Sequence, residues 1–216
     1  MARFVIEYST EALMAGDQEI RIVLINGSVR PGNYTSMASA LVVDELRKNP
    51  KVTVEVINPA ELNLPFPGVN PQAEGTRKLQ EAVKNATAII LATPEYHGSL
   101  SSVMKLVIEN LGFPSVLAGK PVALLGVAAG SIGAIKALEQ VRSIASHIGA
   151  FVLPTPVSVP NVRKVFDAEG QVLDPAVEKL IRSLAHSLLD YINKNICPAV
   201  TLQRLLRGGA APAVAG

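Results

Sequence analysis

Only one cysteine, Cys197, occurs in the 216 residues, so no disulfide forms within the chain, and a lone thiol fits a reduced, cytoplasmic setting. There is no tryptophan, and aromatic residues are only 4% of the total, too few for a base-stacking surface. Charge of either sign is not in excess. The net charge is +2 and the 20 Lys and Arg form no basic block, so no nucleic-acid partner is expected. With 49% hydrophobic and only 18% charged residues, the chain is not a disordered one. A membrane partner is not expected either. The N-terminus has no basic stretch leading into a clean apolar run. Ser143 to Val162 carries no charge, but Pro154, Pro156 and Pro160 bar a spanning helix there. The three His are far apart, so no metal site is expected.

What remains is an alternation of short apolar runs with longer amphipathic ones. Arg21–Asn26 is a β-branched run that stops at Gly27, as in a strand buried on both faces. Tyr34 to Lys48 reads as a helix, and Val52, Val54 and Val56 alternate with Thr53 and Glu55 as in a strand nearer an edge. A Pro-rich loop (58–71) precedes a second helix over Ala73–Asn85. The third strand is Ala88–Thr93, ended by Pro94; the third helix is Ser102–Asn110. Pro121–Val127 is the fourth strand, Ser131–Ile148 the fourth helix, and Phe151–Leu153 the start of a fifth strand. Asp174 caps a last helix, with Pro175 at its first position, that runs to about Asn195.

Five βα units in a row require parallel strands with helices on both faces. Residues 20–197 form one such domain, preceded by an extension (1–19) and followed by a tail (198–216) expected to be a mobile end.

Ligands of such sheets bind beyond the carboxyl ends of the strands. The first such loop, Gly27 to Thr35, leaves a strand and opens a helix. Ser28, Asn33 and Thr35 offer hydroxyl and amide groups, helix N–H groups favour an anion, and Arg30 adds a guanidinium suited to phosphate. It is neither G-x-G-x-x-G nor a P-loop. The second loop, Thr93 to Ser101, contains Pro94, Tyr96, His97 and Gly98; Glu95 beside His97 invites an acid–base reading. The third, Gly126 to Gly133, is made of small residues around Gly130 and Ser131. With strand order 2-1-3-4-5 the three loops are neighbours, and a phosphate pocket beside a flat, aromatic-edged loop suits a mononucleotide with a large ring. FMN fits better than an adenine nucleotide, because no base-specific polar patch is evident.

G-S-x-R-x-G-x-x-T after the first strand, P-E-Y-H-G-S after the third and the Gly-Ser loop after the fourth resemble the NAD(P)H-dependent FMN reductase family, over about Glu19 to Asn195. The resemblance implies a flavodoxin-like three-layer α/β sandwich with a five-stranded parallel sheet of order 2-1-3-4-5. By it, Ser28, Arg30, Asn33, Tyr34 and Thr35 hold the FMN phosphate. Pro94, Glu95, Tyr96, His97 and Gly98 line the ring, mostly through backbone, and Gly130 and Ser131 close its other edge. Many members have Asn where this chain has His97. NADPH or NADH is the implied reductant, and a quinone, azo dye, metal oxyanion or flavin the small-molecule acceptor. No side chain is assigned as a general acid or base, since the flavin carries the chemistry. The resemblance further implies a homodimer or homotetramer built partly on the third helix. Lys136, Arg163 and Lys164 are cations that a 2′-phosphate could meet. A flavodoxin-type electron carrier or a non-catalytic FMN-binding protein is the competing reading; carriers are usually acidic, and the charge of +2 speaks against one.

Overall fold

The computed structural model describes residues 19–197 together with residues 200, 202 and 206. The predicted N-terminal extension and C-terminal tail therefore lie almost entirely outside the described residues. Three apolar runs make the middle of the sheet: β1 (Ile20–Asn26), β3 (Ala88–Tyr96) and β5 (Pro121–Val127). Each is buried on both faces, and alternate residues serve opposite cores. Ile22 and Leu24 of β1, Ile90 of β3 and Leu125 of β5 face one layer. Val23 and Ile25, Ile89 and Leu91, and Leu124 face the other. Such two-sided burial explains why these strands read as continuous runs.

The strand β2 (Val52–Ile57) pairs outside β1, in register from Ile20↔Val52 to Ile25↔Ile57. It is an edge strand as expected, but the alternation holds only in part: Val52 is buried, whereas Val56 is exposed. Helices α1 (Tyr34–Arg47) and α5 (Pro175–Tyr191) cover one face with Val42, Leu46, Ile181, Leu184 and Leu188. Helices α2 (Glu74–Asn85), α3 (Ser102–Glu109) and α4 (Ile135–His147) cover the other with Leu79, Met104, Val107 and Val141. Asp174 accepts from the N–H groups of Ala176 and Val177, and Pro175 opens α5; a π turn over Ile192–Ile196 extends it.

Three details depart from the sequence reading. The chain does not leave the sheet at Pro94: β3 continues through it to Tyr96, with Pro94 opposite Val127 of β5. Ala92 accepts the Gly27 N–H from β1. With period two, the side of Pro94 that lacks an N–H faces where β1 has already turned away, so no ladder bond is lost. The short β4 (Ser99–Leu100) then folds back on Glu95 and Tyr96 as an antiparallel hairpin.

The fifth sheet position is shared by two pieces, β6 (Phe151–Val152) and β7 (Val157–Val159), both parallel to β5. Pro154 and Pro156 interrupt the ladder between them, and Arg142 satisfies the carbonyls of Leu153 and Pro154 instead. Counted by position, the parallel order is 2-1-3-4-5. Finally, α4 begins at Ile135 rather than Ser131, because residues 128–134 are pinned as a loop by the strand beside them.

Candidate active site

The C-terminal ends of β1, β3 and β5 are adjacent, since Asn26 pairs with Ala92 and Pro94 with Val127. The loops that follow them therefore form one rim. In the first, Gly27 is pressed against β3 and α3: a Cβ there would lie 2.9 Å from the Ala92 carbonyl and 3.1 Å from Met104. Only glycine lets the loop leave the sheet at this point. Ser28 follows, 3% exposed, and its hydroxyl is the one buried side-chain polar atom without a hydrogen-bond partner among the described residues. A buried hydroxyl left so costs about 1–3 kcal/mol, which points to a ligand atom as its missing partner.

Asn33 is the N-cap of α1. Its Oδ1 accepts from Ser36 N at 2.8 Å and its Nδ2 donates to Arg30 O at 2.7 Å. Both polar atoms of the amide are thus spent on shaping the loop. The cap satisfies one N–H of the first turn, and the earlier ones, at Tyr34 and Thr35, have no intrahelical acceptor by geometry. The Tyr34 ring packs 6.3 Å from that of Phe166, so its bulk belongs to the core side. Arg30 is exposed and makes no ion pair or hydrogen bond through its guanidinium among the described residues. An orphaned hydroxyl, unspent first-turn N–H groups and an unpaired guanidinium are a donor set without an acceptor, which suits a phosphate.

The second loop is the β3–β4 hairpin. His97 (φ 52°) and Gly98 (φ 70°) are its two turn residues. Positive φ at both is the signature of a type I′ turn. His97 is thus a left-handed residue on an exposed tip, and Tyr96 beside it is 40% exposed. Glu95 does not pair with His97. Its carboxylate accepts the Ala137 N–H at 3.1 Å, capping the first turn of α4 where a negative charge is favoured. The acid–base pairing invited by the sequence is therefore not formed. Ser99 Oγ donates to Gln140 Oε1 at 2.7 Å, tying the hairpin to α4 a second time.

Two latches were not singled out from the sequence. Ser101 Oγ donates to the Gly27 carbonyl and accepts from Met104 N, so one hydroxyl caps α3 and joins the first loop to the second. Ser158 Oγ accepts from Ala134 N, and Asn161 N donates to the Gly130 carbonyl, clamping the third loop from the β7 side. Gly130 and Ser131 are exposed on this clamped loop. Arg163 and Lys164 follow on the same rim. Both latches join residues far apart in the chain, which no local pattern signals.

A groove of about 700 Å³ lies elsewhere, between α2 and the edge strand β2, and is lined by charged residues such as Arg21, Glu55, Lys78 and Glu81. It receives none of the three loops. Among the described residues no cluster of His, Cys, Asp and Glu could hold a metal, and no helix is long and apolar enough to cross a membrane.

The chain is similar to several known proteins. Residues 20–164 match a family model described as NADPH-dependent FMN reductase. A Pseudomonas aeruginosa protein named as an NAD(P)H-dependent FMN reductase is 27% identical over 183 residues, covering 82% of this chain and 97% of the relative. An NADPH azoreductase of a Bacillus species is 30% identical, covering 76% and 90%. Among solved structures, the Paracoccus denitrificans flavoenzyme FerB, an NAD(P)H:(acceptor) oxidoreductase, shares the fold with a TM-score of 0.69 at 21% identity, covering 81% of this chain and 98% of that one.

Proposed function

Because the chain belongs to the NADPH-dependent FMN reductase family, we propose that it binds one FMN per chain and uses NAD(P)H to reduce a small-molecule acceptor: a quinone, an azo dye, a metal oxyanion or free flavin. The observation that carries this reading is the Ser28 hydroxyl, buried and unpartnered in the loop that opens α1. The Ser28 hydroxyl, the Arg30 guanidinium and the first-turn N–H groups of α1 take the phosphate. The hairpin around Pro94–Gly98 orients the ring through backbone groups, and Gly130 and Ser131 close its other edge. The rigid parts, Glu95 on α4 and Ser101 on α3, hold that wall in place. When bound, FMN supplies hydride acceptance and onward electron transfer; no side chain of the chain needs to act as acid or base.

Tyr96 and His97 border the exposed face of the ring, where the nicotinamide and the acceptor alternate. Self-association forms part of the same proposal. On the outer side of α3, Val103 and Leu106 are only half-buried, and Phe113 just beyond it is 98% exposed. Such a patch suits a second copy of the chain. The test is direct. The protein is loaded with flavin, washed, denatured, and the released chromophore identified. One FMN per chain is expected; recovery of FAD, or no uptake of FMN at micromolar concentration, overturns the reading.

A further inference from the structure

Some lysines on the helices close ion pairs with an acid of their own helix, as Lys78 does with Glu74 and Lys105 with Glu109. Lys136 does not, although Glu139 stands three residues further along α4. It is exposed and makes no ion pair or side-chain hydrogen bond among the described residues. Instead its side chain lies across the β3–β4 turn. A methyl placed on Gly98 would sit 3.4 Å from Lys136 Cδ and 3.8 Å from Nζ. The ammonium therefore lies beside Gly98, over the turn of the hairpin. Helix stability does not account for a lysine here, because a cation in the first turn opposes the helix dipole. Glu95, whose Oε2 accepts from Ala137 N, makes no ion pair with it among the described residues.

We propose that Lys136 sets substrate preference at the ring face by taking an anionic oxygen, phosphate or sulfonate, of the molecule that occupies that face. The inference rests on the FMN reading above. With the nicotinamide on the ring, the anionic group of a dinucleotide nearest to it is the diphosphate bridge. An aromatic acceptor in the same place would bring a sulfonate.

The experiment compares FMN-loaded wild-type protein, Lys136→Gln and Lys136→Arg. Calorimetric titration with NADP⁺ is expected to show binding weakened about tenfold by Lys136→Gln, as for loss of a charge-assisted hydrogen bond, and largely restored by Lys136→Arg. The salt dependence of binding is weaker in the Gln variant than in the wild type. A second arm reduces the flavin chemically and follows reoxidation by a sulfonated azo dye relative to a neutral quinone. A fall in the NADP⁺ arm assigns the diphosphate; a fall confined to the dye-to-quinone ratio assigns the acceptor's sulfonate. Unchanged NADP⁺ affinity and an unchanged ratio, with FMN retained, would falsify the role of Lys136 alone. A wild-type chain that takes up no FMN would remove the reading beneath it and the inference together.

Discussion

Ser28 and Arg30 act on the phosphate and on nothing else in the account, so their removal has a selective signature. Arg30→Ala is expected to weaken FMN by one to two decades, since a charge-assisted hydrogen bond contributes about 1.5–3 kcal/mol. Riboflavin, which lacks the phosphate, should be unaffected. Equal losses for both ligands, measured by fluorescence titration, would place Arg30 in the fold instead. His97 makes a different kind of prediction, because its demand is on the backbone. At φ 52° an Asn is more at home than a β-branched residue. His97→Asn should leave folding and flavin uptake intact. His97→Val should cost about 1–3 kcal/mol in urea denaturation and loosen the ring wall. A loss in the Asn variant of about 10²–10⁴-fold in turnover with flavin retained would instead identify His97 as a proton donor.

At the scale of elements, the site depends on a few polar links between helices and strands. Ser101→Ala removes both the cap of α3 and the link to Gly27. A stability loss of about 0.5–2 kcal/mol is expected from the cap, with weaker flavin binding in the same variant; a stable variant with unchanged flavin affinity contradicts the latch. Another link is Lys120, 7% exposed, which donates to the carbonyls of Lys84 and Ala86 at the end of α2. Burial pushes its amine down to about 8 from 10.5. Between those values the unfolded chain holds a proton that the folded chain has released, so this group adds stability as pH rises from about 8 to about 10.5. Relative to Lys120→Met, the wild type should gain up to about 2 kcal/mol between pH 7.5 and 9.5. A constant difference in urea midpoints across that range would contradict it.

These elements also show what a sequence reading reaches. β1, β3 and β5 are legible because two-sided burial leaves a continuous apolar run, and α5 because Asp174 and Pro175 mark its start. The loops are legible as places, since each follows a strand. Their internal wiring is not. Whether Pro94 ends β3 depends on where β1 turns away. The left-handed backbone of His97 follows from a hairpin formed with Ser99 and Leu100. Ser101 and Ser158 look like any loop serine until the partner arrives from a distant segment.

At the scale of the whole molecule, the proposed flavin site and the proposed self-association surface are tested separately. Phe113→Ser combined with Leu106→Asp is expected to shift the protein toward monomer in light scattering with sizing chromatography. Unchanged mass would place any self-association elsewhere. Turnover should be ping-pong, with parallel double-reciprocal lines when NAD(P)H and a quinone are varied, because both need the same exposed face; intersecting lines would require two sites. The central claim is that the loops after β1, β3 and β5 hold a flavin that NAD(P)H reduces. An anaerobic titration of the FMN-loaded protein tests it most directly. About one equivalent of NADPH or NADH per chain should bleach the flavin absorbance, and about one equivalent of quinone should restore it. A flavin that stays oxidised in excess of both nucleotides would contradict the account.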